Sequence, residues 1–267
     1  MSKRHNITSG KIYQAMIEGE RRGDYLGKTV QMVPHGSDLV MKWIEEVATI
    51  PVDSTGLEPE VCLIEVGGTV GDIESMLFLE ALRQFQFKVG HGNILFFHVG
   101  LVPCLGSVGE QKTKPTQHSV KELRSLGLSP HVIVCRSSDM LLDSTRRKIG
   151  QFCHVAESNV ISVHDVSNIY HVPMILAEQG VPSIIKQGLG MTTMRDEPDL
   201  LIWAAMASTI DNAAVADAGR RVKIAVVGKY TGMSDAYLSV VKSLHHAGIH
   251  LGVDVKVVKM KTTHTPL

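Results

Sequence analysis

The sequence predicts an α/β fold: a mostly parallel sheet with helices on both faces, followed by the first part of a second α/β domain. Three observations predict it. Short β-branched runs at residues 29–33, 61–66, 94–99, 132–135 and 160–163 alternate with amphipathic stretches such as 37–48, 75–87 and 118–126, the order that parallel strands with crossover helices require. The alternation breaks at residues 187–199, rich in Gly, Met and Thr, and resumes beyond a charged joint at residues 219–222. The length, 267 residues, is enough for one large core and part of another.

Taken in order, the first strand is the run TVQMV at 29–33, closed by Pro34 and followed by His35. The second, VCLIEV at 61–66, is a buried-strand pattern that ends on Glu65 and hands over to a Gly-rich turn. Asp72 and Ser75 then stand where a helix N-terminus is expected, ahead of an amphipathic stretch to residue 87. The strand at 94–99 leads to a basic loop, the strand at 132–135 to Arg136, and the strand at 160–163 to His164 and Asp165. A helix over residues 144–152 carries Lys148. Beyond it come an Ala-rich helix at about 200–214, a strand at 223–227, a helix at about 234–247 and a strand at 253–258. In a parallel sheet, ligands bind outside the C-terminal strand ends, and those positions are polar here.

Composition narrows the function. Lysine plus arginine equals aspartate plus glutamate at 27 each, so no global field argues for nucleic acid or an anionic membrane as a partner. Any phosphate recognition has to be local. Cys62, Cys104, Cys135 and Cys153 show no C-x-x-C spacing, and two of them lie within runs that read as buried strands, which predicts a reducing cytoplasm. The longest apolar stretch, residues 200–210, falls well short of the ~20 residues a membrane span needs, and no apolar segment backs the N-terminus. A soluble, unexported protein is expected.

Two segments carry the chemistry. EVGGTVGDIES at 65–75 places the carboxylates of Glu65, Asp72 and Glu74 among Gly67, Gly68 and Gly71. A carboxylate at the crevice end of a buried strand is costly unless a cation or donors satisfy it. The glycines allow positive φ and close approach of a ligand. Helix capping by Asp72 and Ser75, with acids in the first turn, explains part of the same pattern. GEQKTKPTQ at 109–117 supplies the opposite charge. In extended geometry, stiffened by Pro115, Lys112 and Lys114 project to one side. A helix from about Thr116 would aim its N–H groups the same way, which together makes a triphosphate cradle. A solvated basic loop is the alternative for the lysines alone, an exposed face for Lys148, and a surface turn for His164, Asp165 and Val166.

Other motifs fall away. Neither Ser9-Gly10-Lys11 nor Gly228-Lys229 is a phosphate loop, because neither has the upstream glycine or the Ser or Thr after the lysine. Cys104 follows Pro103, where a nucleophile elbow wants glycine. The thirteen histidines contain no H-E-x-x-H.

The chain resembles the CTP synthase family, glutamine-dependent amidoligases that convert UTP to CTP. HNITSGKIY at 5–13, GDYLGKTVQMVPH at 23–35, residues 65–75, RQFQF at 83–87, residues 109–117 and VHDVSNIY at 163–170 carry the resemblance. It implies a P-loop NTPase-like amidoligase domain at residues 1–190, a linker at 191–221 and an incomplete class I glutamine amidotransferase domain at 222–267. It also implies Glu65 as a Mg2+ ligand, and UTP/CTP contacts at Asp72, Ile73, Glu74, Lys112, Thr113, Lys114, Pro115, Thr116, Gln117 and Lys148. ATP as co-substrate is expected at His164, Asp165 and Val166. The partners it implies are UTP, CTP, ATP, glutamine-derived ammonia and further copies of the chain in a tetramer or filament, with no nucleic acid and no membrane.

The family's first strand, its glycine-rich phosphate loop and a second metal-binding aspartate are expected before residue 1, and the glutaminase cysteine, histidine and glutamate beyond residue 267. These 267 residues are therefore expected to be inactive alone. A non-catalytic CTP/UTP-binding or assembly subunit is the alternative. Leu77 stands where the family usually has proline.

Overall fold

The computed structural model describes residues 2–106, 109–192, 198–215, 221–233 and 235–261. Two compact units emerge: Met1–His164 with Ile184–Met194, and Asp165–Ser183 with Arg195–Leu267. In chain order the elements are α1 (Ser9–Arg22), α2 (Ser37–Ala48), α3 (Ile73–Val89), β1 (Phe97–Leu101), β2 (Cys104–Leu105), β3 (Glu110–Gln111), α4 (Lys114–Ser125), β4 (Val132–Ser137), α5 (Asp143–Cys153), β5 (Val160–His164), α6 (Val172–Glu178), α7 (Val181–Gly188), α8 (Leu201–Val215), β6 (Arg221–Gly228), α9 (Leu238–Leu251) and β7 (Asp254–Lys261).

The first unit is built on a parallel sheet of order β1-β4-β5, with Phe97 opposite Val132 and Ile133 opposite Val160. Such a sheet is covered because crossover helices return over its faces. Ile133, Cys135 and Val160 bury one face against Val120 of α4 and Ile149 and Cys153 of α5. Fully burying one such aliphatic side chain contributes about 1.5–3 kcal/mol, so this cluster fixes where α4 and α5 lie. A second cluster joins Ile12 and Met16 of α1, Val40, Met41 and Ile44 of α2, and Ala81 and Leu82 of α3. Leu79, Leu123 and Leu128 tie α3 to α4.

In the second unit, β6 and β7 pair in parallel from Arg221 opposite Asp254, where the two side chains also form a 2.6 Å ion pair. A single 3-10 turn at Ile169–His171 is bound to α8 by Asn168 Nδ2, which donates to the Ala207 carbonyl (3.2 Å) and to Asp211 (2.8 Å). His171 Nε2 lies 2.8 Å from the other Asp211 oxygen. Hydrogen bonds from His171, Ser167 and Asn168 hold the Asp211 carboxyl below its ordinary range. Residues 193–197 and 216–220 of the predicted 191–221 linker lie outside the described residues; the rest of it holds α8, and the predicted charged joint at 219–222 runs into β6 at Arg221.

Two predicted strands are not strands. Residues 61–66 run irregularly through solvent, with Leu63 95% exposed and Cys62 exposed rather than buried. Residues 29–33 lead into an irregular turn at Met32–Gly36, within which Val33 itself is extended, at φ −120°. A strand exists only through its ladder, and neither run has a paired neighbour among the described residues; propensity alone does not supply one. Among those residues no helix is long and apolar enough to cross a membrane.

Candidate functional site

Residues 65–75 form the irregular entry to α3. Gly68 and Gly71 adopt φ of 92° and 100°, the left-handed region the sequence anticipates for a tight turn. Asp72 occupies the N-cap position, yet its carboxylate makes no capping hydrogen bond. Ser75, buried, instead donates to the Asp72 and Thr69 carbonyls at 3.0 and 3.3 Å. Capping therefore leaves the Asp72, Ile73 and Glu74 side chains exposed at a helix N-terminus. Glu65 is exposed as well. No group of three or more His, Cys, Asp or Glu side chains is gathered to hold a metal among the described residues. A single carboxylate fits Mg2+ only as one ligand beside nucleotide phosphates and water, and does not form a cage.

The basic segment is built differently from the extended loop predicted. Helix α4 begins at Lys114, about two residues earlier than expected, with Thr113 at the N-cap and Pro115 in the first turn. Proline suits that position because its missing N–H has no intrahelical partner there and its φ is helical. Lys112 and Lys114 therefore do not alternate along a strand. Lys112 follows the β2–β3 hairpin and pairs with Glu110 at 2.6 Å, while Lys114 Nζ lies 5.9 Å from the centre of the Phe152 ring on α5. Thr116, 1% exposed, donates to the Leu101 carbonyl at 3.1 Å and pins α4 to β1. Gln117 donates to Thr113 Oγ1 at 3.0 Å and closes the helix start.

Between α4 and α5 lies a hollow of about 370 Å³, lined by Lys114, Gln117, His118, Val120, Lys121, Arg124 and Phe152. It is large enough for a small ligand, and its described lining carries three fixed cations, no carboxylate and one aromatic wall, with Glu122 3.9 Å from His118 at its margin. Arg124 is braced there by hydrogen bonds to the Cys153 carbonyl and His154 Nδ1. Exposed Lys148 sits one turn before Phe152 on the same side of α5. Lys121, Arg124 and Phe152 escaped the sequence reading. The i, i+3, i+4 spacing of Lys114, His118, Lys121 and Arg124 marks one face of α4 and was the available signal.

His164 ends β5, and its Nδ1 is buried with no hydrogen-bond partner. It belongs to the first unit, whereas Asp165, exposed, and Val166, half-buried, belong to the second. His98 on β1 also buries an Nε2 without a partner, and burial pushes its imidazole below the ordinary pKa. The buried thiol of Cys135 is pushed up to about 12, chiefly by desolvation, so it stays a neutral core group.

Residues 1–191 match the family described as CTP synthase N-terminus. The chain is 52% identical to CTP synthase of Dictyostelium discoideum over 259 residues, covering 93% of this chain and 45% of that protein. It is 54% identical to CTP synthase 1-A of Xenopus laevis over 250 residues, covering 93% and 42% respectively. It is 52% identical to human CTP synthase 1 over 258 residues, covering 96% and 43%. The chain spans less than half the length of these relatives. By the extent of that match, it belongs to the CTP synthase family.

Proposed function

We propose that this chain supplies the pyrimidine-nucleotide-binding amidoligase part of a CTP synthase, a ligase that forms a C–N bond in pyrimidine nucleotide synthesis. In that reaction the 4-oxygen of UTP attacks the γ-phosphorus of ATP and ADP leaves. Ammonia from glutamine then adds at C4, inorganic phosphate departs with that oxygen, and loss of protons leaves the amine of CTP. Catalysis of such a transfer is chiefly positioning and charge neutralisation. Residues 112–117 and Lys148 would hold UTP or CTP, with Asp72, Ile73 and Glu74 reading the base. His164, Asp165 and Val166 would contact ATP. Bound Mg2+ would neutralise phosphate charge, with Glu65 as its protein ligand. Residues 222–267 would begin the glutaminase domain, and a cytoplasmic homotetramer is the expected assembly.

The observation that carries this reading is the carboxylate-free α4–α5 hollow, which joins Lys114 and Gln117 to an aromatic wall within the stretch that matches the CTP synthase N-terminus. The test is calorimetric titration of the folded 267-residue chain with CTP, alongside CTP formation from UTP, ATP, Mg2+ and ammonium. Binding is expected, with a loss of at least tenfold in Lys114→Ala, because a charge-assisted contact contributes about 1.5–3 kcal/mol. Turnover is expected to be absent, since these residues hold no glycine-rich phosphate loop. A folded chain without CTP affinity would defeat the nucleotide reading, and CTP formation would defeat the expected inactivity.

A further inference from the structure

Strands β2 and β3 hold only two residues each, too few for a self-sustaining hairpin. Lys112 leaves this hairpin, and its own amide donates to the Pro103 carbonyl at 2.9 Å. The residue before Lys112 ties the hairpin to the rest of the unit. Gln111 Nε2 donates to the Met140 carbonyl at 2.8 Å, and Gln111 Oε1 accepts from the Leu142 amide at 3.0 Å. The side-chain amide thus imitates one rung of a backbone ladder across the loop that launches α5.

That loop is itself rigid. Leu141 is buried and its amide donates to Ser162 Oγ at 3.0 Å, while the Leu142 carbonyl accepts the first bond of α5 from Arg146 at 2.9 Å. Leu142 precedes α5 without a side chain able to cap it, so Gln111 serves its free amide. Helix α5 is anchored by Ile149 and Cys153 in the core and carries Lys148 and Phe152. Thr113 and Lys114 are held independently by α4.

We propose that Gln111 is a positioning residue for Lys112: its amide fastens the Lys112 hairpin to the start of α5, setting the angle at which that ammonium meets a pyrimidine nucleotide. The inference rests on the nucleotide reading of residues 112–117. Gln111 itself touches no ligand and acts only through Lys112.

The test is a double-mutant cycle read by CTP titration of the full 267-residue chain, with thermal unfolding as a check on the fold. Gln111→Met keeps length and removes both hydrogen bonds. Leu142→Pro removes one of them from the opposite side, because proline has no N–H and the Leu142 φ of −67° already suits its ring. Each is expected to weaken CTP binding about five- to twentyfold with the unfolding transition retained, and to add less than twofold in a Lys112→Ala background. A side chain serving only general stability would instead weaken both backgrounds alike. Wild-type affinity in Gln111→Met, or an undiminished loss in the Lys112→Ala background, overturns the inference alone. A folded wild-type chain that binds no CTP overturns it together with the nucleotide reading.

Discussion

Replacing Glu110 by glutamine should tighten nucleotide binding, because Glu110 competes for Lys112, the ammonium proposed to receive the nucleotide. The Lys112–Glu110 pair is close, at 2.6 Å, but its side chains are 41% and 64% exposed. An exposed pair of that kind contributes about 0.2–1 kcal/mol. An incoming phosphate has to displace it, so its removal yields up to about fivefold in affinity. A carboxylate and an anion held about 8 Å apart repel by roughly 0.5 kcal/mol in water, so removing Glu110 would add a gain of that order, which salt screens over about 8 Å at physiological ionic strength. Glu110→Gln is therefore expected to bind CTP about three- to tenfold more tightly at low salt, falling to about twofold at physiological salt. Calorimetric titration at both salt concentrations measures this. Glu20→Gln on α1 makes the same change in net charge and serves as the control. Unchanged or weaker binding in Glu110→Gln would refute the reasoning, since Lys112 would then not be the group that receives the anion.

Two stability predictions concern the scaffold beneath the site. Ile149 is fully buried among Val120, Ile133 and Val160, so Ile149→Ala should cost about 2–5 kcal/mol in urea unfolding, and a loss below about 1 kcal/mol would show that α5 is not seated on the sheet as described. His98 is kept neutral in the folded chain by burial but takes up a proton when unfolded below about pH 6.5. The unfolded state then binds more protons, so stability falls as the pH drops below that value, by at most about 1.4 kcal/mol per pH unit for one group. His98→Gln should flatten this part of the profile between pH 6.5 and 5, and an identical slope in the variant would sink the assignment.

Much of the scaffold was legible because its residues answer to local rules. The β-branched runs that became β4 and β5 pair with each other, and the amphipathic period of α2 and α5 places Ile44 and Ile149 inside. The run at residues 61–66 has the same local character and failed, because a strand depends on a neighbour that no local rule contains. Pro115 was ambiguous in another way: proline stiffens an extended segment and also opens a helix, and the burial of Thr116, Val120 and Leu123 decides for the helix from Lys114 onward.

Of the candidate hollow, the sequence offered Lys114 and Gln117 but not the assembly. Net charge is zero over the whole chain, which argues against a global field, yet this says nothing about a single helix face. On α4 the helical period sends Thr116, Val120 and Leu123 into the core and leaves Lys114, His118 and Lys121 outside, so the same burial that seats the helix concentrates cations on its other side. Phe152 joins them because Ile149, three residues earlier, has to reach the core. The hollow is therefore a consequence of packing α4 and α5 on one sheet face. Its positive sign follows from which residues the core rejects, and that is why composition could not reveal it while periodicity could.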